Sequence, residues 1–120
     1  MLVGARLVPV APQDESLDGV FAALGDATRR GVITRLGRGP ASVGDLARDV
    51  SMALPSFMKH IRTLEATDLI RTRKSGRVRT CELNRVRLAL VTGWLDEQRQ
   101  LWDERTDRLE QFVTDVEEHP

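Results

Sequence analysis

Lys59, Arg62 and Thr63 sit at helical spacing in the stretch "SMALPSFMKHIRTL", and Arg73, Lys74, Arg77 and Arg79 crowd into "RTRKSGRVRT" a few positions later. Cationic side chains at this density suit phosphate, which arginine grips with a planar fork and lysine attracts as a point charge. Ser56 and Thr63 add hydroxyls, and His60 adds an imidazole, groups that exchange hydrogen bonds with base edges or phosphates. The ligand these groups suit is a polyanion such as nucleic acid, the alternative being a solvated charged surface. Other chemistry is sparse. Cys81 is the one cysteine, so no internal disulfide forms, and the two histidines, His60 and His119, have no second ligand at helical spacing. No metal site and no cofactor are expected. No nucleophile–base set, paired carboxylates or phosphate-cradling glycine loop points to an enzyme.

A helix carrying those groups must also pack. On a wheel centred on Ile61, the residues Leu54, Phe57, Leu64 and Asp68 fall within about 60° of the centre, while Ser56, Lys59, Arg62 and Thr63 lie about 100° or more away. One side is core and the other faces the ligand. Met58 and His60 flank the stripe on opposite sides, with His60 leaning out beside the basic face. Pro55 fits the first turn, where its missing N–H costs nothing.

Three shorter helices precede this one. Ser16 caps a first helix in which Leu17, Val20, Phe21 and Leu24 recur at i, i+3, i+4, i+7 up to Gly25. Asp26 caps a second, "ATRRGVITRLG", with Val32, Ile33 and Leu36 as its stripe. Ser42, with Asp45 three residues on, resembles a capping box and opens a third, whose Val43, Leu46, Ala47 and Val50 face one way. The third and fourth helices joined by a tight turn make a helix-turn-helix pattern. Beyond them "LIRTRK" and "RVRTCEL" read as two strands around Ser75-Gly76, pairing Lys74 with Arg77, Thr72 with Arg79 and Ile70 with Cys81. The hairpin is apolar at its base and basic at its tip. Cys81 reads as a small buried apolar residue rather than a redox switch.

The chain has 120 residues, enough for one domain, and its formal net charge is zero. That zero conceals a segregation: residues 1–53 balance, 54–87 carry nine Lys/Arg against three Asp/Glu, and 88–120 carry three against nine. Patches rather than totals attract anions, so the middle third marks the binding surface. No apolar run is long enough to span a bilayer. Arg6, Pro9 and Pro12 interrupt the opening residues, and 1–15 reads as a flexible tail rather than a leader, which together with the lone cysteine suits a cytoplasmic location.

Asn84 caps a last helix from about 85 to about 117. Leu88, Leu95, Trp102, Leu109 and Val116 recur every seven residues, with Val91 and Phe112 at the intermediate position. Gln98 and Arg105 break the repeat, and Gly93 is expected to bend the helix. With Trp94 and Leu101 beside it, the stripe is wider than a single small domain covers, and it reads as a homodimer seam.

From "VFAALGDATRRGVITRL" through "ASVGDLARDVSMALPSFMKHIRTLEATDLIRTRKSGRVRTCEL" the chain resembles the ArsR/SmtB family of bacterial winged-helix repressors, with "GDATRR", "SVGDLA", "KHIRTLEATDLI" and the hairpin jointly carrying the likeness. The resemblance implies a mainly α fold with a small β-hairpin: a winged helix-turn-helix domain over 16–84 and a dimerisation helix over 85–120. It implies a dimer joined by the first helix, through Leu17, Val20 and Phe21, and by the last, through Leu88, Val91, Leu95, Trp102, Leu109 and Phe112. Helix 54–67 then enters the DNA major groove, where Ser56, Lys59, Arg62 and Thr63 reach bases, and Ser42, His60, Arg73, Lys74, Arg77 and Arg79 hold phosphates. Many relatives carry serine where Ala53 and Met58 stand. The cysteine or His/carboxylate sets of metal-sensing relatives are missing, so the chain resembles the metal-independent branch. The expected activity is promoter occlusion at a palindromic operator. A small-molecule- or redox-responsive regulator, or an adaptor using the acidic last helix, are the alternatives.

Overall fold

The computed structural model describes residues 11–118, with side chains described from Leu17 to Glu117. Most of the tail expected at 1–15, and His119, lie outside the described residues. The element order is α1 (Ala11–Leu24), α2 (Ala27–Leu36), β1 (Ala41–Ser42), α3 (Val43–Arg48), α4 (Leu54–Ala66), β2 (Ile70–Ser75), β3 (Val78–Leu83) and α5 (Arg85–Glu118). The chain divides into two compact units, one ending at Leu88 and one beginning at Ala89.

The first unit is the winged helix-turn-helix. Its core takes Val20 and Ala23 from α1, Val32 and Leu36 from α2, Leu46 from α3, Phe57, Ile61 and Leu64 from α4, and Leu69, Ile70 and Cys81 from the sheet and its approach. The buried residues of α2, α3 and α4 lie on the expected stripes, whereas α1 buries Val20 with Ala23 and leaves Phe21 37% exposed. Burying a side chain such as Phe57 contributes about 1.5–3 kcal/mol. Leu54 departs from the expectation: it shares the stripe's direction but is 55% exposed, because the core ends one turn before α4 does. The first helix opens at Ala11, upstream of Ser16, so it does not begin at a Ser16 cap.

The capping at the other helices follows the sequence. Asp26 accepts a hydrogen bond from the Arg29 backbone N–H at 3.0 Å, Ser42 Oγ accepts from Asp45 N–H at 3.0 Å, and Asn84 Oδ1 accepts from Arg87 N–H at 3.3 Å. The Asp45 carboxylate pairs with Arg48. Ala53 caps α4 with no side-chain bond, as its methyl dictates, and Pro55 lies in the first turn.

The end of α4 differs from the expectation that Asp68 continues its stripe. The helix stops at Ala66, and Asp68 takes the left-handed conformation at φ 61°. Asp68 N–H then reaches the Glu65 carbonyl at 3.0 Å, and Leu69 N–H the Leu64 carbonyl at 3.1 Å, which is the Schellman pattern with Leu69 packed into the core beside Leu64. A non-glycine residue there is strained. Asp68→Gly is therefore expected to raise stability by about 1 kcal/mol, measured by denaturant unfolding; a decrease would show that the aspartate side chain contributes more than its backbone strain costs.

Three strands form an antiparallel sheet in the order β1-β3-β2. The short β1, which pairs Ala41 with Cys81 and Ser42 with Thr80, was not visible in the sequence because two residues carry no alternation. The hairpin register also differs from the expected one: Ile70 faces Leu83, Thr72 faces Cys81, Lys74 faces Arg79 and Ser75 faces Val78. The turn residues are thus Gly76 and Arg77, not Ser75 and Gly76, and Gly76 at φ 62° occupies the first loop position that a type II′ connection reserves for glycine. The shift is even, so every side chain stays on its expected face.

Helix α5 runs through Gly93 without interruption. Its first turn is tied to the first unit, where Arg85 donates to the Gly37 carbonyl at 2.9 Å and Arg87 Nε to the Thr67 carbonyl at 2.8 Å. In the second unit Leu95, Leu101, Trp102, Leu109, Phe112, Val113 and Val116 are exposed along one broad stripe. No helix among the described residues is long and apolar enough to cross a membrane.

Candidate nucleic-acid interface

The outer side of α4 presents Ser56, Lys59 and Arg62 to solvent, with Thr63 half-buried beside them. Thr63 Oγ1 donates to the Lys59 carbonyl at 3.0 Å, so its hydroxyl proton is committed to the helix and what it offers outward is an acceptor and a methyl group. In the wing, Arg73, Lys74 and Arg77 are exposed. These six residues, with Ser56 among them, have side chains open to an incoming phosphate or base.

Arg79 is held differently. Its guanidinium donates to Thr72 Oγ1 at 2.7 Å, and Thr72 Oγ1 donates in turn to Glu65 Oε2 at 2.5 Å. The chain runs from wing to recognition helix and fixes the angle between them, with one charged end and one charged acceptor to strengthen both bonds. Arg79 and Thr72 are diagonal neighbours across the strands, within reach of a long side chain. The expected register already sets Thr72 opposite Arg79, and the observed one keeps them in reach as diagonal neighbours. Glu65 was missed because no local pattern ties a residue near the end of α4 to the wing.

His60 turns toward α2 and not onto the basic face. Arg29 Nη1 lies 3.0 Å from His60 Nδ1, and Asp26 Oδ2 lies 3.6 Å from the same atom. Arginine only donates, so Nδ1 accepts and the ring proton of this arrangement sits on Nε2. The imidazole is thereby a bracket between α4 and α2. Ser42 Oγ serves as the α3 cap, and its O–H remains able to donate.

Arg29 is the hub of this region. Besides His60 it binds the Ala23 carbonyl through Nε at 2.7 Å and the Ala22 carbonyl at 3.3 Å, while Arg30 binds the Leu24 carbonyl at 2.8 Å. Two guanidinium groups therefore close the C-terminus of α1, where carbonyls lack partners and the helix dipole is negative. This gives "GDATRR" a structural meaning: one helix stops, the next is capped by Asp26, and the two arginines join them. The Arg29 backbone N–H, partly offset by burial and helped by the charge of the Arg29 guanidinium, holds the Asp26 carboxyl below its usual range. The cap's contribution is present above the ordinary carboxylate pKa and fades as pH falls through the lowered one.

Of the residues expected at a dimer seam, Val20 is wholly buried within its own domain at 0% exposure, which makes it core. Leu17 is half-buried and Phe21 partly exposed, and along α5 Leu88 and Val91 are half-buried while Leu95, Trp102, Leu109 and Phe112 are exposed. Cys81 is 0% exposed, and burial pushes its thiol pKa up. Among the described residues no three His, Cys, Asp or Glu side chains converge as a metal site would need.

A four-helix core whose last helix is basic on its outer side, joined to a charged β-wing, defines a winged helix-turn-helix DNA-binding protein. A helix-turn-helix domain family matches residues 24–73. The HTH-type transcriptional regulator Rv2034 of Mycobacterium tuberculosis is 37% identical over 81 residues, covering 68% of this chain and 76% of that protein. The crystal structure of an ArsR family transcriptional regulator superposes with a TM-score of 0.72 at 54% identity, over 75% of this chain and 93% of the other. The transcriptional repressor SdpR of Bacillus subtilis is 28% identical over 79 residues, covering 66% of this chain and 88% of its own. The chain belongs to the ArsR family of DNA-binding transcriptional regulators.

Proposed function

We propose that this protein is a homodimeric repressor that binds a palindromic operator in the cytoplasm and blocks its promoter, without catalysis, metal or cofactor. The observation that carries the reading is the shared solvent exposure of Lys59 and Arg62 on α4 and of Arg73, Lys74 and Arg77 on the wing, with few carboxylates to neutralise them. A helix reading base edges and a wing gripping phosphate divide specificity from affinity. The name of the B. subtilis relative supports repression. The buried, pKa-raised Cys81 is a poor reactive thiol, which disfavours a redox-triggered regulator.

The direct test is a mobility shift on DNA upstream of the gene, repeated over a range of salt, where binding should weaken steeply as counterion release is suppressed. The two elements should then separate. Arg77→Ala is expected to weaken binding to all sequences and flatten the salt slope by about one unit, whereas Arg62→Ala should also relax preference at one base pair, costing about 1–3 kcal/mol there. Equal losses on operator and random DNA for both variants would remove the assigned roles.

A further inference from the structure

Beside the basic groups, a recess of about 340 Å³ opens between the start of α4, the start of α3 and the tip of the wing. Leu54, Met58 and Val78 supply its apolar wall, and Arg77 and Arg79 stand on the wing side. Leu54 and Val78 are 55% and 51% exposed, so packing of the protomer does not account for them. The α4 side chains that build the core are Phe57, Ile61 and Leu64. A surface that only gripped phosphate would gain nothing from leucine, methionine and valine.

Base edges in the major groove carry one apolar group, the C5-methyl of thymine. The residues of a recognition helix closest to base edges are those of its N-terminal turns, and Leu54 and Met58 lie there, one turn apart on the flank that faces the wing. Arg77, exposed beside the recess, would hold the neighbouring backbone while a methyl group enters it. We propose that Leu54, Met58 and Val78 form a thymine-methyl reader, so that the operator half-site is specified in part by a thymine methyl group and not only by hydrogen bonds from α4. This rests on the DNA-binding reading and adds a specificity determinant to it.

The experiment uses the full chain and an operator obtained by selection from a random DNA pool. Each half-site thymine is replaced in turn by deoxyuridine, which removes the methyl group and leaves O4 and base pairing unchanged. Burying one methyl group contributes about fourfold in affinity, so the wild-type protein should bind about fourfold more weakly at one or two of these substitutions. The thymine-to-uracil ratio at those positions should fall to about one in Met58→Ser or Leu54→Ser and persist in Met58→Leu, each variant being checked by its melting curve. A wild-type protein that binds its operator specifically but ignores every uracil substitution overturns the methyl reader and leaves the DNA-binding reading standing. A methyl effect that survives unchanged in both serine variants overturns the assignment to these residues. Failure to select any operator overturns both readings.

Discussion

Trp102→Glu is expected to convert the protein from dimer to monomer at micromolar concentration and to lower operator affinity by at least a hundredfold. Trp102 is 67% exposed in the protomer, at the middle of a stripe that includes Leu95, Leu101, Leu109 and Phe112. So many large apolar groups along one helix exceed what a monomer ordinarily leaves in water. In the proposed dimer a second copy of the same helix would cover them symmetrically, because the stripe repeats every seven residues and so matches itself. A carboxylate at the centre would be buried without a partner, which costs several kcal/mol. DNA affinity falls with it because two linked recognition helices are needed for two half-sites about one helical turn apart. Sedimentation of the wild type as a monomer at micromolar concentration would end the argument, and Trp102→Phe, which keeps the apolar ring, should remain dimeric.

The charge on that helix sharpens the test. Residues 88–120 carry nine acidic against three basic side chains, so two copies pairing as proposed would repel one another. Added salt screens this repulsion and strengthens the apolar contribution. Dimerisation is therefore expected to tighten with salt while DNA binding loosens, and the two dependences, opposite in sign, separate the functions of the two units.

What could be read from the sequence was set by how periodic each signal was. Helix α4 spans nearly four turns, enough for its two sides to separate, and Phe57, Ile61 and Leu64 are buried while Lys59 and Arg62 are exposed, as the wheel requires. Leu54 and Asp68, the two ends of the same stripe, were misjudged for a common reason: a wheel gives direction but not where the core or the helix stops. The hairpin's existence was legible from its composition, whereas its register turned on which of two positions Gly76 occupies in the turn, and both place glycine in the loop. His60 could be assigned to phosphate or to structure by its helical angle. Its actual partners, Asp26 and Arg29, lie more than thirty residues upstream, and no local pattern points to them.

The bracket formed by those partners leads to the second large effect. Arg29→Ala is expected to lower stability by about 2–3 kcal/mol, because three hydrogen bonds from one cation are lost and the Ala22 and Ala23 carbonyls at the end of α1 are left with fewer donors. Arg29→Lys should recover little of this, since a single ammonium cannot span two carbonyls and an imidazole as a planar fork does. The acid sensitivity of the Asp26 cap should persist in both variants, because the main cause of its lowered pKa is the Arg29 backbone N–H, which any residue supplies. His60, freed from its donor, would leave α4 less firmly placed against α2, so operator affinity should drop further than the loss of fold alone predicts. Thermal melting and a mobility shift at a temperature where both variants remain folded measure the two effects separately. An Arg29→Ala protein that melts within about 2 °C of wild type, where about 2 kcal/mol should shift the midpoint by several degrees, would show that these bonds merely exchange for water at no net cost.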